Sequence, residues 1–448
     1  MNRGGWHKLI GAASLLAAAA SLWLGGCASE APSLPKIADL NPFKEKQTPL
    51  PGRRIPIVET TESISSNLAD ANKPISIPSP QMNASWSQPG GVANNAPGNL
   101  ALNGNLHQLW SASAGTGSSK TGRVTASPIV FGDKIYTLDA AATVSAFTLS
   151  GSSVFSVSTK PETTVGLGGY GGGIAAENGR LYVANGYGIV SALDPATGKA
   201  IWTKDLDVPV RAAPTAAGDR LYVITIDGKF YCLSGIDGSE LWATRGLPQS
   251  ASLMTSTSPA VDGDVVVVPF PSGDIMAFKL SDGSTIWTEN LARTRQTSQI
   301  ASMSDVARPA IDNGVVYAIG HAGRMVAAQA KSGDRVWSLS IPGAEPPCVA
   351  GDTVFVVDTG GRLMALQRSD GKTRWITQLP AAKNYSGPIM AANTLFLVSS
   401  KGEVVSVDPM SGKIGGTMSV GDTVYIAPIV AQGHMFVLTD SAKLVALN

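Results

Sequence analysis

A glycine followed four residues later by an aromatic residue recurs along this chain. The pairs are Gly151/Phe155, Gly198/Trp202, Gly238/Trp242, Gly283/Trp287, Gly333/Trp337 and Gly371/Trp375, and a seventh copy, Gly412/Gly416, keeps the glycine but lacks the aromatic. Successive glycines stand 47, 40, 45, 50, 38 and 41 residues apart, lengths that suit one propeller blade per repeat. A second signal runs in step with the first. Eight β-rich runs, from Lys134-Ile135-Tyr136 to His434-Met435-Phe436-Val437, each follow a turn residue: Gly132, Gly179, Gly218, Gly263, Gly314, Gly351, Asn393 or Gly433. Glycine and asparagine both tolerate the positive φ of a tight hairpin. Each run passes through another turn into a second short strand, such as Lys229-Phe230-Tyr231-Cys232-Leu233 after Gly228. No stretch of twelve residues carries a 3.6-residue period, so helices are nearly absent. The unit is therefore strand, hairpin, strand, hairpin, strand, turn, aromatic strand, which is a four-stranded antiparallel blade.

The ends of the chain complete the count. The last unit runs from Pro428 to Asn448 and stops before its glycine–aromatic strand, while Leu106-His107-Gln108-Leu109-Trp110 is an aromatic strand with no blade of its own. If the early strand supplies the missing one, the ring closes and its sheet edges are protected. Seven complete units and one split unit predict an all-β, eight-bladed β-propeller whose last blade is closed by an N-terminal strand. The irregular first unit around residues 166–173 leaves seven blades as the other count. Trp110, Phe155, Trp202, Trp242, Trp287, Trp337 and Trp375 are read as structural: each fills the gap between adjacent blades and removes roughly 150–250 Å² from water. The glycine four residues earlier is read as the end of the preceding hairpin.

Upstream of the repeats the chain changes character. Arg3, His7 and Lys8 precede an apolar stretch, Leu9 to Leu24, that reads as a secretory segment rather than a membrane span. Leu24-Gly25-Gly26-Cys27 resembles a bacterial lipobox, so residues 1–26 are expected to be a signal peptide and Cys27 to carry lipid. By the same resemblance, Ala28 and Ser29 favour sorting to the outer membrane. Residues 28–98 hold eleven of the 28 prolines and show no apolar period; this Pro/Ser/Asn-rich stretch, counted from the acylated Cys27, is expected to be a disordered tether, with residues 99–448 forming the propeller. Trp86-Ser87-Gln88-Pro89-Gly90-Gly91 is the one sticky patch in it, expected to dock onto the domain, the alternative being a partner-binding segment.

Composition removes several function classes. Lys plus Arg, 34, almost equals Asp plus Glu, 33, so there is no electrostatic footprint for nucleic acid. Three cysteines make no disulfide framework. His7, His107, His321 and His434 lie too far apart in sequence for a usual metal-site spacing.

The repeat Leu193-Asp194-Pro195-Ala196-Thr197-Gly198-Lys199-Ala200-Ile201-Trp202 resembles the pyrroloquinoline-quinone-type propeller repeat. That repeat occurs in quinoprotein dehydrogenases and in the BamB family of non-enzymatic outer-membrane lipoproteins. The lipobox, the eight units and the split last blade are similar to the latter, over roughly residues 100–448. The resemblance implies a lipid-anchored scaffold on the periplasmic face of the outer membrane, without cofactor. Its expected partners are BamA, the other subunits of the β-barrel assembly complex and unfolded outer-membrane proteins. Two segments resemble the family's surface for BamA. In residues 250–259, Leu253 matches an apolar contact, but Met254 stands where the family has arginine. In residues 302–309, Ser304, Asp305 and Val306 match, Ala307 replaces an acidic residue, and Arg308, with Arg293 and Arg295, shifts the charge pairing. Both segments precede the first strand of a blade and so belong to one rim.

Two other readings stay open. A quinone-dependent dehydrogenase resembles its relatives in having a general-base aspartate, calcium ligands and often adjacent cysteines. Here Cys232 and Cys348 are isolated, and Asp194, Asp237, Asp282, Asp370 and Asp408 sit where turn formers are expected. A periplasmic propeller for a glycan or peptide would carry aromatics at one end of the channel, whereas these tryptophans are placed between blades.

Overall fold

The structure is a computed structural model, and it describes residues 74–161, 169–246, 257–291 and 306–448. Cys27, Leu253, Met254, Ser304, Asp305, Arg293 and Arg295 lie outside the described residues. The described residues form eight antiparallel sheets of four strands arranged as an eight-bladed propeller. The blades comprise residues 129–158, 172–205, 215–245, 260–290, 310–339, 348–378, 389–419, and 429–447 completed by 108–113. In the last blade the N-terminal strand Gln108–Ser113 pairs antiparallel with Lys443–Leu447, so the expected closure is the one adopted. The seventh blade gains a fifth strand, Asn99–Leu100, which runs parallel to its innermost strand Ile389–Ala391.

The hairpins follow the predicted turn chemistry. In the turn between the first two strands of blade 2, Asn178 and Gly179 have φ of 48° and 72°; in blade 7, Ala392 and Asn393 have 46° and 59°. Positive φ at both central residues matches the right-handed twist of the strands they join.

Every outermost strand carries a register shift immediately before its aromatic position. The bulged residues are Leu109, Val154, Ile201, Leu241, Ile286, Val336, Arg374 and, in blade 7, Gly415. A bulge adds one residue and re-aims the next side chain. Here it precedes an aromatic that reaches the following blade: Trp202 Nε1 donates to Gly235 O at 3.0 Å, Trp242 to Leu280 O at 3.1 Å and Trp287 to Ala330 O at 2.8 Å. Trp110, Trp337 and Trp375 make the same bond to Leu149, Arg368 and Pro409. Phe155 has no donor, and Tyr136 of the same blade reaches Pro195 O instead, at 2.7 Å.

The repeat glycines do more than end a hairpin. Each takes a φ between +71° and +87°, and each lies against the aromatic of the preceding blade. A Cβ on Gly238 would stand 2.7 Å from Trp202, one on Gly283 2.5 Å from Trp242, and one on Gly198 2.6 Å from Phe155. Glycine and aromatic are thus two halves of one inter-blade joint. Both halves are missing together at one place. Blade 7 has Gly416 instead of an aromatic, and the residue four before Trp110 in blade 8 is Leu106. Leu106 and Met418 pack in the same apolar cluster there.

Residues 74–98, expected to belong to the tether, are instead laid across the propeller. The innermost strand of each blade has an edge facing the channel, with no neighbour for its backbone groups. The segment supplies one. Val130 N donates to Trp86 O, Ala176 N to Ser87 O, Val261 N to Ala93 O and Ile311 N to Asn94 O, at 2.7–2.9 Å. Ala216 N donates to Gln88 Oε1 at 3.0 Å. Asn83 Nδ2 reaches Val430 O at 2.8 Å, and Ser76 N donates to Asp352 Oδ1 at 3.0 Å. With the pairing of Asn99–Leu100 to blade 7, the segment touches all eight blades and closes the mouth at the end of the first hairpins. Trp86, 3% exposed, docks into the apolar cluster with Val130, so the docking expectation holds. Where the segment begins, Asp352 is also gripped by Arg374 through two bonds of 2.9 and 2.8 Å. Arg374 is the bulge residue of blade 6, 4% exposed.

Candidate functional site

Among the described residues, the opposite face carries the turns between second and third strands and several of the links from an outermost strand to the next innermost one. Of the two sequence-predicted contact segments, 250–259 and 302–309, residues 250–256 and 302–305 lie outside the described residues. A cavity of about 700 Å³ opens here between the links and turns of blades 5 to 8 and the entry to blade 1. Arg123, His321, Glu345, Asp358, Lys383 and Tyr425 are among its lining residues.

The electrostatics of the cavity follow from how each charged group is held. Asp358 is consumed by the fold: Oδ1 accepts from the backbone of Gly360 and Arg362 at 2.9 and 2.8 Å, and Oδ2 pairs with the Arg362 guanidinium at 2.6–2.7 Å. Asp440 accepts from Ser118 Oγ at 2.5 Å. Glu345 accepts from Gly387 N at 3.1 Å, but burial outweighs this bond and pushes its carboxyl up to about 8. It is therefore largely neutral at neutral pH. The side chains of Arg123 and Lys383, both exposed, have no ion-pair or hydrogen-bond partner among the described residues; Lys383 N donates to Ser400 Oγ at 3.1 Å.

Arg308 needs a correction. Read from sequence as a partner contact, it is 8% exposed and points inward, donating from Nη1 to Pro89 O of the closing segment at 2.6 Å. Proline at the next position, Pro309, opens the innermost strand of blade 5 and aims the preceding side chain at the channel axis. Burial lowers its proton affinity, to about 10, so the guanidinium stays charged at neutral pH. Val306, also read as a contact, is 2% exposed and bridges to Gly320 inside blade 5. Neither residue is available on the surface. The sequence signal for Arg308 was the pre-proline position shared with Ser127, Ala213, Ser258 and Gly387. Among those residues arginine is the odd one.

The raised Glu345 carboxyl makes stability depend on pH. Because its folded value lies above the ordinary 4.5, folding takes up a proton between the two values. The stability tied to neutral Glu345 is complete below about 4.5 and is lost as pH rises through about 8. Glu345→Gln is expected to lose less stability than the wild type between about pH 5 and about pH 9 in denaturant melts. Equal losses would show that Glu345 does not titrate in this way.

The acidic residues read as turn formers are that. Asp194 Oδ1 accepts from Thr197 Oγ1 and from the backbone of Ala196 and Thr197, and Asp408 Oδ1 accepts from Met410 N. Hydroxyl donors, with backbone donors next, hold Asp194, Asp237 and Asp282 below the usual carboxylate range. Cys232 and Cys348 are on different blades, and burial pushes their thiols up to about 11 and about 12. Neither is a thiolate nucleophile at neutral pH. Among the described residues no three His, Cys, Asp or Glu side chains come together as a metal cluster.

Comparison with known proteins places this geometry. The outer membrane protein assembly factor BamB of Moranella endobia is 32% identical over 126 residues, which cover 26% of this chain and 31% of that one. The chain spans 31–45% of the length of four curated relatives it matches. The crystal structure of BamB from Moraxella catarrhalis superposes with a TM-score of 0.67 at 18% identity, covering 77% of this chain and all of that one. The quinohemoprotein alcohol dehydrogenase of Comamonas testosteroni also superposes with a TM-score of 0.67, at 12% identity, covering 86% and 84%. At these identities the two structures speak for the fold alone. The family model described as outer membrane protein assembly factor BamB matches residues 140–377, more than half of the chain. The chain belongs to the BamB family.

Proposed function

We propose that the chain is a non-enzymatic scaffold lipoprotein of the outer-membrane β-barrel assembly machinery. The observation that carries this reading is the family match over residues 140–377, on an eight-bladed propeller. Cys27 carries the lipid anchor that holds the domain at the periplasmic face of the outer membrane; acyl chains contribute roughly 0.8 kcal/mol per buried CH₂. One rim binds BamA through the segments 250–259 and 302–309, with Leu253 as the apolar anchor and Asp305 as the charged one. Ser304 and Met254 flank them. Binding orients the partner, and no bond is made or broken.

The test is a mild-detergent pull-down of the tagged chain from the membrane fraction, wild type beside a Leu253→Asp plus Asp305→Arg variant, read by mass spectrometry. BamA is expected with the wild type and lost with the variant. BamA recovered equally with both would misplace the contact, and BamA with neither would overturn the reading. A Cys27→Ser chain is expected in the soluble fraction; membrane retention would overturn the anchor.

A quinone-dependent dehydrogenase is the second reading, favoured by 31% identity over 97 residues to the dehydrogenase subunit of the quinone alcohol dehydrogenase of Gluconobacter oxydans, 19% of this chain and 13% of that one. It requires pyrroloquinoline quinone to bind in the presence of calcium, which a titration followed by the cofactor's absorbance decides.

A further inference from the structure

The segment 74–98 lies across one end of the ring of blades, and the charges around the cavity at the other end are unbalanced. Three basic groups lack a carboxylate partner among the described residues. Arg123 and Lys383 stand at the mouth, exposed. Arg308 does not line the cavity, but its charge is felt by the lining residue Glu345; it is more than nine-tenths buried, with Nε unpartnered and a single bond to Pro89 O. A buried guanidinium without a counter-charge is costly, and such a site gains more from an incoming anion than a solvated one does. The acids nearby do not balance the sum. Asp358 is neutralised by Arg362, and the acid nearest in influence to Arg308, Glu345, stays mostly protonated at neutral pH, so Asp440, which keeps its charge while accepting from Ser118, is one carboxylate against three basic groups.

We propose that this cavity is a binding site for an acidic polypeptide segment, whose carboxylates lie on Arg123 and Lys383, with the buried charge of Arg308 adding to the attraction. Two features select a chain segment over a small anion. The cavity, about 700 Å³, has the size of sites that take ligands much larger than one carboxylate. Tyr425, 41% exposed on its wall, offers a flat apolar face beside the charges, useful to a chain with side chains between its acids. The site uses none of the residues assigned to the BamA contact, and it stands or falls separately from that reading.

The experiment is fluorescence anisotropy on the full-length chain in detergent, with a short labelled peptide of alternating Glu and Gly. Saturable binding that weakens with salt is expected, with none for the Gln–Gly peptide. An Arg123→Glu plus Lys383→Glu variant is expected to bind about tenfold more weakly or worse, as two exposed attractions become repulsions. A Lys199→Glu plus Lys413→Glu variant has the same net charge, altered at the far rim, and is expected to bind as the wild type does. Both sites are exposed, so melting temperatures near wild type confirm that the variants fold. Equal binding of the Gln–Gly peptide, or equal weakening in both variants, would overturn the proposal. Displacement by citrate or succinate at the peptide's own affinity would overturn the choice of a polypeptide.

Discussion

Gly238→Ala is expected to destabilise the propeller by about 2–5 kcal/mol. Roughly 1–2 kcal/mol of this comes from forcing an L-residue into the left-handed region, where Gly238 has φ +75°. The remainder, about 1–3 kcal/mol, comes from overpacking, because the new methyl would stand 2.7 Å from Trp202 Cε3. Trp202→Ala alone is expected to cost about 3–5 kcal/mol, as a large aromatic is lost along with its bond to Gly235 O. The two losses cannot add. Once Trp202 is gone, the alanine meets empty space and keeps only the backbone strain. A double-mutant cycle by urea unfolding is expected to show a coupling of at least about 1 kcal/mol. Losses that add within about 0.5 kcal/mol would mean that the glycine is there for its hairpin only. The same cycle at Gly371 and Trp337, where the Cβ distance is 2.9 Å, is expected to give the same sign.

Trp86→Ala is expected to release the closing segment as a unit. A fully buried tryptophan is worth about 3–5 kcal/mol on truncation, and the segment has few other apolar anchors. The readout is amide hydrogen exchange at Val130, Ala176, Ala216, Val261 and Ile311. These five amides lie in five different blades, and each donates to the segment. They are expected to lose protection together, while amides paired between strands of one blade keep theirs. Loss at Val130 alone would show that the segment is held piece by piece. The consequence reaches Arg308, whose bond to Pro89 O goes with the segment.

Much of the fold could be read in advance because its signals are local. The spacing of Gly198 to Trp202 reports a hairpin, a bulge and an aromatic within five residues, and that group recurs. Ring closure was legible because Trp110 had no blade and the last blade had no aromatic. The paired reason for glycine and aromatic was not legible, since Gly238 meets Trp202, 36 positions away by number, rather than the Trp242 of its own repeat. The site was harder still. Arg308 looked like a surface charge beside Asp305, yet it is buried with its guanidinium on Pro89 O, 219 positions away in the chain.

The sequence by itself determined the eight repeats, the strand order within each and the split last blade. Each of these follows from short-range rules of turn, period and bulge. Only the tertiary structure decided what residues 74–98 do. Their prolines and lack of period prevent any strand or helix of their own, which is why they resemble a tether. Yet the innermost edges of eight blades present backbone groups that require partners, and an extended, amide-rich segment supplies them. The partners of Trp86, Gln88 and Asn94 are at Val130, Ala216 and Ile311. No local pattern encodes those distances; they exist only once the ring has brought the edges together.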